Sequence, residues 1–564
     1  MRKLSKISLL VALVLLTVGA VTYGPQLASA TGDFGTRIDV LTRMLQIIQR
    51  NYVDDVGVDM LFDNAIHGVL ENLDPHSRFI SAEEYRAMQE QYRGDYAGIG
   101  ISFDLFDGVI TVLDALDGGP SKALGLRPGD QIIRINGEDA THTNYDEVYD
   151  KLRGPRGTQV QVTVQRPGLD EMLEYTITRG QVPIAAISLS TMIRPDVGYV
   201  RLGTFSQKAA DQLEEALEEL ESEGMKRLIF DLRGNGGGLM VQALRITDKF
   251  LTGGKTIVTT RGRTPSSNSD SSSSDRGTHP TVPMIVLVNR GSASASEIVS
   301  GALQDWDRAL IVGETTFGKA LVQNQFQFKD GTALFLTIAR YYTPSGRLIQ
   351  RQYKGKDFAD YYTADANEND LDKLEIEAHA PLEQLESPET QGLTPPPLST
   401  EERPVYHTAG GRVVYGGGGI HPDIQIEPTR VSGLAAAFYR SPLRFYFRFA
   451  VDYAADYAAE LPVDFEDYQE QFQVTDALME KFVAFLRKPG LLATLETAGI
   501  PVDDEALKNA WEDMRVYLQA DIAASIWGQE RGREILIEHD QQVQQAVDLF
   551  PQAANLLSLE KKAS

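Results

Sequence analysis

Between Arg37 and about Met88 apolar residues recur at helical spacing, as Leu41, Met44, Leu45 and Ile48 and then Ile66, Val69 and Leu70, which predicts a helical lead-in segment. The Asp74-Pro75-His76-Ser77 stretch interrupts it with residues that start turns. From Gly94 to Gly180 the texture changes to short β-type runs at 99–103, 109–112, 131–135, 159–165 and 173–177, separated by glycine-rich turns. They predict a small β-rich module of ordinary domain size. From Val197 strands and helices alternate, the pattern of an α/β layer architecture. Strands are predicted at 197–202, 228–232, 284–288, 309–312 and 334–341, and a helix at 207–223 carries Leu213, Leu217 and Leu220 on one face. After Pro428 the pattern is mainly helical and rich in aromatics such as Phe438, Tyr439, Phe445, Tyr446 and Phe447, which read as core residues.

Composition sharpens this outline. With 564 residues, 42% of them hydrophobic, the chain can bury several cores, so three or four domains are expected. A net charge of -25 argues against nucleic acid and anionic lipid surfaces as partners. Cysteine is absent, which excludes disulfides, thiol nucleophiles and cysteine-rich zinc sites. The serine-rich stretch 266–275 is expected to be a mobile loop, and the acidic, proline-ended stretch 356–402 a surface insertion. Arg2, Lys3 and Lys6, the apolar run from Ile7 to Ala20, and Ala28-Ser29-Ala30 have the form of an export signal. Extended to Tyr23, the apolar run reaches the lower limit of a membrane span, so a retained anchor stays open beside a cleaved signal. Either way the remainder is expected to work outside the cytoplasm, in a periplasm or its equivalent.

The candidate chemistry lies in loops that follow strands. After 284–288, Gly291-Ser292-Ala293-Ser294-Ala295-Ser296-Glu297 opens a helix, where unpaired N–H groups and the helix dipole favour negative charge. A serine here can act as a nucleophile, with the Ala295 N–H aimed at the developing oxyanion. The Gly236-Gly237-Gly238 loop after 228–232 can bring a second backbone donor close, because it lacks side chains. None of the eight histidines sits in a nucleophile-elbow or zinc-protease motif. A lysine can replace histidine as base if an apolar site keeps it neutral, and Lys319 lies between Phe317-Gly318 and Ala320-Leu321-Val322, with Gln323 available to orient it. On these grounds Ser292, Ser294 and Ser296 remain equivalent.

Each motif alone favours a plainer reading: a helix cap, a solvated lysine, a turn. Gly313 to Lys319 has phosphate-loop spacing, but Ala320 stands where Ser or Thr would hold magnesium. Gly234-x-Gly236 suggests a dinucleotide loop, but Leu239 takes its third glycine position. His76 and His421 read as turn or packing residues. The acidic insertion lacks a calcium-loop motif.

Joint occurrence changes the weighing. DLRGNGGG from Asp231, GSASASE from Gly291, GETTFGKALVQ from Gly313, ARYYTPSGR from Ala339 and GIHPD from Gly419 occur in order, and together they resemble the C-terminal processing peptidases, or tail-specific proteases. The resemblance runs from about Arg37 to Pro428. It implies an α/β crotonase-like or ClpP-like peptidase core interrupted by a PDZ domain. The implied layout is a signal or anchor at 1–30, a helical segment at 31–92, the PDZ domain at 93–181, the core at 182–430 with the acidic insertion at 354–410, and a helical extension at 431–564. Within the resemblance Ser294 is the nucleophile, Lys319 the base, Gln323 the residue that orients the lysine, and Ala295 and Gly237 the oxyanion donors. Tyr96 to Ile101, with Gly98, Ile99, Gly100 and Ile101 at its centre, looks like the carboxylate-binding loop of the PDZ domain, and GLRPGDQIIRINGE from Gly125 like its later strand and turn. Arg153 in LRGPRG is the residue implied to couple that domain to the active site. The implied reaction is peptide hydrolysis through an acyl-enzyme, with no metal or organic cofactor, on protein substrates taken by their C-terminal tails. Homo-oligomerisation is compatible with the resemblance. The rival from another class is a catalytically silent PDZ scaffold that binds tails without cutting them. The extension from 431 lies beyond the resemblance.

Overall fold

The computed structural model describes residues 34–353, 361, 403–428, 431, 433–488, 490–497 and 502–563. The expected export signal and nearly all of the acidic insertion lie outside the described residues. The chain forms two compact units, one up to Phe79 and one from Ile80. The first contains helices at 34–51 and Val58–Leu70, and then the predicted turn, in which the Asp74 carboxylate accepts from the N–H of His76 at 3.0 Å and from Ser77 Oγ at 2.6 Å.

The second unit opens with the helix Ala82–Arg93. A capping box of Ser81 and Glu84 starts it and Gly94, at φ 75°, ends it. The β-rich module follows as an antiparallel sheet in the order Ile101–Phe106, Val109–Ala115, Gln131–Ile135, Gln159–Gln165, Leu173–Thr178. Its entry and exit strands, Asp95–Gly98 and Gly180–Pro183, pair with each other and form a two-stranded neck. The first predicted strand moves from 99–103 to Ile101–Phe106 because the Ile99 carbonyl is taken by Ser121, whose N–H and Oγ both donate to it. Sequence periodicity did not single out the helix Tyr145–Leu152, an eight-residue element capped by Asn144.

The α/β core holds a six-stranded sheet in the order Ile187–Arg194, Val197–Leu202, Arg227–Asp231, Met284–Val288, Leu310–Gly313, Ile424–Gln425. The first pair is antiparallel and the others parallel. Met284–Val288 is buried at every position, which is why it reads as an unbroken apolar run. One face packs against Leu213, Leu217, Ile246, Phe250, Val299 and Leu303 of the helices Ala209–Ser222, Met240–Phe250 and Ala295–Asp305. The other face, with Leu189, Tyr199, Ile229, Ile285, Leu287 and Val312, packs against Ile537, Val543, Ala546, Phe550, Ala553 and Leu556. The helical extension, which lay beyond the resemblance, therefore supplies a covering layer of the core.

One expectation needs correction. The serine-rich stretch 266–275 is not a mobile loop: Ser269–Ser272 is a strand paired with Thr256–Gly262, which in turn pairs with Ala333–Tyr342. Polar bonds replace apolar packing there, since Thr260 Oγ1 donates to Ser267 O at 2.9 Å, the Gly262 N–H donates to Asn268 Oδ1 at 2.8 Å, and Arg261 pairs with Asp270 at 2.6 Å.

The C-terminal helices build their own core from Phe438, Phe445, Tyr446, Phe449, Tyr468, Phe482 and Tyr517, among others. They also grip the PDZ-like module. Phe447 packs on Phe106 and Leu113, and Arg444 Nε pairs with Asp104 Oδ2 at 2.7 Å. Burial pushes the Asp521 carboxyl, on the helix Trp511–Trp527, up to about 7, against the opposing pull of Arg444. The folded protein then holds a proton that the unfolded chain, with a carboxyl near 3.9, has released, so this group's contribution to stability falls as pH rises from about 4 to 7. Asp521→Asn should raise the Tm at pH 8 and leave it nearly unchanged at pH 4; equal shifts at both pH values in a thermal melt would remove Asp521 as the cause.

Candidate active site

Three neighbouring parallel strands, Arg227–Asp231, Met284–Val288 and Leu310–Gly313, end in the loops that carry the glycines, Ser294 and Lys319. Asn235 stitches the first loop to the second. Its Nδ2 donates to Leu202 O at 2.7 Å, and its own carbonyl accepts from the Ala293 N–H at 3.0 Å and from Ser296 Oγ at 2.7 Å. Gly237 has a φ of +106°, and a Cβ there would lie 2.9 Å from both Ala293 O and Ser294 Cβ. Only glycine allows the loop to come this close to the serine turn.

The structure separates the three serines. Ser292 Oγ donates to Leu232 O at 2.8 Å and Ser296 Oγ to Asn235 O, and both residues are fully buried. Ser294 is half-buried at the N-cap of Ala295–Asp305, with φ 54° and ψ −107°, a strained conformation for a residue with a Cβ. The Ala295 N–H occupies the first helical position, where amides have no intrahelical acceptor. The Gly237 N–H instead donates to Asn235 Oδ1 at 2.9 Å, so serving an oxyanion requires it to leave that partner.

Glu297 links the serine turn to the lysine loop. Its fully buried carboxylate accepts from the Ser294 and Lys319 N–H groups through Oε2, at 2.9 and 2.8 Å, and from Thr316 Oγ1 and the Gly318 N–H through Oε1, at 2.6 and 2.7 Å. Burial raises its pKa, and these four bonds act in the opposite direction. Tyr341 adds a second tie, its Oη lying 3.1 Å from Ser294 O and 2.7 Å from Lys319 O. Burial, reinforced by the Glu297 charge, raises the Tyr341 pKa well above its usual value, so the phenol stays protonated. Lys319 and Gln323 are both half-buried, and Gln323 lies on the strand Leu321–Gln327 beside a register shift after Val322. The phosphate-loop alternative fails on geometry: Lys319 leads into a strand, and the amides of Gly318 and Lys319 already face a carboxylate. His421 packs edge-on against Tyr415 and meets Thr315 Oγ1 at 3.0 Å, as expected of a packing residue.

Residues 196–358 match the model of peptidase family S41, and residues 111–166 match a PDZ domain. The chain is 38% identical over 307 residues to the carboxy-terminal-processing protease of Bartonella bacilliformis, covering 54% of this chain and 70% of that one. It is 33% identical over 342 residues to carboxy-terminal processing protease CtpA of Bacillus subtilis, covering 60% and 72%. A carboxyl-terminal-processing protease of Synechocystis is 37% identical over 293 residues, covering 51% and 68%. The chain belongs to the carboxy-terminal processing protease family. It is therefore a serine-type endopeptidase with a PDZ domain. Residues 444–528 match a further family of unknown function, DUF8443.

In this protease the PDZ loop is shaped by its glycines. A Cβ on Gly98 would lie 2.9 Å from the Tyr96 ring, and one on Gly100, at φ +78°, would lie 2.9 Å from Gly119 Cα. Ile99 and Ile101 are buried in the module's core. Arg153 stacks on the rings of Tyr96 and Tyr149, at 4.7 Å from each centroid, and pairs with Glu90 of the helix Ala82–Arg93 at 3.1 Å. Sequence reading passed over Glu297, Tyr341 and Asn235. The signal for Glu297 was present: Ser294-x-x-Glu297 has the spacing of a capping box. In Glu297→Gln one oxygen becomes an amide NH2 that confronts at least one backbone N–H, and each unsatisfied buried donor costs about 1–3 kcal/mol. Proteolysis by this variant should fall roughly 10- to 100-fold in kcat, whereas wild-type turnover would show that Glu297 has no part in setting the site.

Proposed function

We propose that the chain is an exported endopeptidase that takes protein substrates by their C-terminal tails and cuts them with Ser294 as nucleophile and Lys319 as base. The observation that carries this reading is the separation of the serines: Ser292 and Ser296 spend their hydroxyls on backbone carbonyls, and Ser294 is held on a strained turn tied to the lysine loop by Glu297 and Tyr341. Neutral Lys319 takes the proton from Ser294 Oγ as that oxygen attacks a peptide carbonyl, and the lysinium returns a proton to the leaving amine. Water then attacks the ester with Lys319 again as base, releasing the acyl group and restoring the serine. Gln323 orients the lysine. The Ala295 N–H stabilises the oxyanion, joined by the Gly237 N–H once it leaves Asn235.

The tail enters as an added strand beside the PDZ module, its carboxylate on the backbone N–H groups around Gly98 to Ile101. Phe103, Tyr145 and Tyr149 make ring contacts between the first module strand and the helix Tyr145–Leu152 and offer an apolar wall to the tail. Arg153, paired with Glu90 outside the module, reports occupancy to the core, a role the ion pair supports. The basic start, apolar run and Ala28-Ser29-Ala30 support export.

The test is cleavage of an unstructured protein ending in an apolar tail. Wild type should cut it, Ser294→Ala and Lys319→Ala should each lose at least roughly a thousandfold in kcat, and amidation of the tail should slow cleavage mainly through KM. Tail binding without cleavage by wild type would replace this reading with the scaffold.

A further inference from the structure

Arg233 opens the glycine loop next to Ser294, and its side chain is almost wholly buried. Its Nε lies 3.0 Å from each Asp231 oxygen, its Nη2 lies 2.6 Å from Asp231 Oδ2, and its carbonyl accepts from Arg201 Nη2 at 3.0 Å. The remaining partners come from the far end of the chain. Asp540 Oδ2 lies 2.8 Å from Arg233 Nη2, and Gln542 Oε1 accepts from Arg233 Nη1 at 2.7 Å. Gln542 Nε2 then donates to Ile426 O at 2.8 Å, beside the last strand of the core sheet. Asp540 and Gln542 are 8% and 3% exposed, so neither is a surface contact.

The charges make this junction consequential. Arg201 and Arg233 share the buried Asp231, and Asp540 supplies the second carboxylate. Burial works against the Arg233 charge, and Asp231 and Asp540 outweigh it and hold its pKa well above the usual value. Without Asp540 this pocket carries two guanidiniums and one carboxylate. Removing one partner of a buried ion pair leaves an uncompensated charge and is strongly destabilising, and Arg233 is the residue that begins the loop. Asn235 follows Arg233 by two residues and fixes the Ala293 N–H, Ser296 Oγ and the Gly237 N–H.

We propose that Asp540 and Gln542 are positioning residues for the active-site glycine loop, so that the C-terminal region, by holding Arg233, sets Gly234 to Gly238 against Ser294. This rests on the reading of that loop as an oxyanion site. Neither the S41 match, which ends at 358, nor the DUF8443 match, which ends at 528, reaches these residues.

Asp540 allows a clean separation of roles. Its Oδ1 caps the helix Gln541–Asp548 by accepting from Gln542 and Val543 N–H at 2.9 and 3.3 Å, and its Oδ2 meets Arg233. Asp540→Asn keeps the cap, because asparagine is an equally good N-cap, and removes the charge facing Arg233. Gln542→Met keeps the side-chain length and removes both hydrogen bonds. In the full-length protein, kcat and KM for the tail-bearing substrate are measured per active site titrated with a fluorophosphonate, alongside amide hydrogen exchange of residues 233–239. Both variants should lose roughly 10- to 100-fold in kcat, less than or up to the roughly 10²–10³ that follows outright loss of an oxyanion donor. KM should stay within about twofold, and exchange should accelerate in the loop with the helix Gln541–Asp548 still protected. Unchanged kcat per titrated site with unchanged loop exchange overturns the proposal, as does a loss confined to Tm and titratable sites, which marks a structural role only. If wild type neither cuts nor reacts at Ser294, the proposed mechanism falls, and loop exchange alone then decides the role of Asp540 and Gln542.

Discussion

A parallel sheet needs an apolar cover on both faces, and the second unit is organised around that requirement. Helices that follow the strands in the usual alternation cover one face. The other is covered by residues from Ile537 to Leu556, after an excursion of more than a hundred residues that begins near the end of the last core strand. Each large aliphatic or aromatic side chain buried there contributes about 1.5–3 kcal/mol. Leu189, Tyr199, Ile229, Ile285, Leu287 and Val312 would otherwise form an exposed apolar patch on the peptidase core. The C-terminal region is thus part of the core's packing, whatever else it does.

The sheet also explains why the site is where it is. In parallel α/β sheets the loops leaving the carboxyl ends of adjacent strands converge on one crevice. Here three consecutive neighbours deliver the glycine loop, the serine turn and the lysine loop. Convergence alone leaves the loops free to drift. Glu297 removes that freedom for the serine turn and the lysine loop, because one buried carboxylate accepts from the backbone N–H groups of Ser294, Gly318 and Lys319 at once, while Asn235 ties the glycine loop to the serine turn. A φ of 54° at Ser294 costs on the order of 1–3 kcal/mol, and bonds to a charged acceptor are strong enough to hold it.

The parts legible in the sequence were those governed by local pattern. Strands at 131–135, 159–165, 197–202 and 284–288 coincide with the observed Gln131–Ile135, Gln159–Gln165, Val197–Leu202 and Met284–Val288, because each alternates or runs apolar over its whole length. Ser269–Ser272 was illegible because nothing apolar marks it: its pairing depends on Thr256–Gly262, brought alongside only by the fold. At the site, glycine, serine and lysine motifs announced themselves by type and order. By residue type Ser292, Ser294 and Ser296 were equivalent and only the resemblance singled out Ser294; the carbonyls that take up the Ser292 and Ser296 hydroxyls lie up to 61 residues away. The roles of Glu297 and Tyr341 depend on contacts of the same kind, between loops of different strands.

The PDZ domain stands in a different energetic position from the core. Apart from its neck, the contacts that hold its orientation include Arg153 with Glu90, Arg444 with Asp104, Arg448 with Asp107 and over the Phe106 ring, the Gln529 N–H with Asp114 at 3.3 Å, and the packing of Phe447 and Val451 against Phe106 and Leu113. Partly exposed ion pairs are worth about 0–1 kcal/mol each and one buried aromatic about 1.5–3 kcal/mol, so the apolar part of this clasp outweighs each of its ion pairs. Even micromolar capture of a tail supplies about 8 kcal/mol in total. Only the part of that energy that distinguishes one orientation from another can move the domain. The sheet core has both faces buried, whereas the PDZ domain is joined to it by the two-stranded neck and by these side-chain contacts.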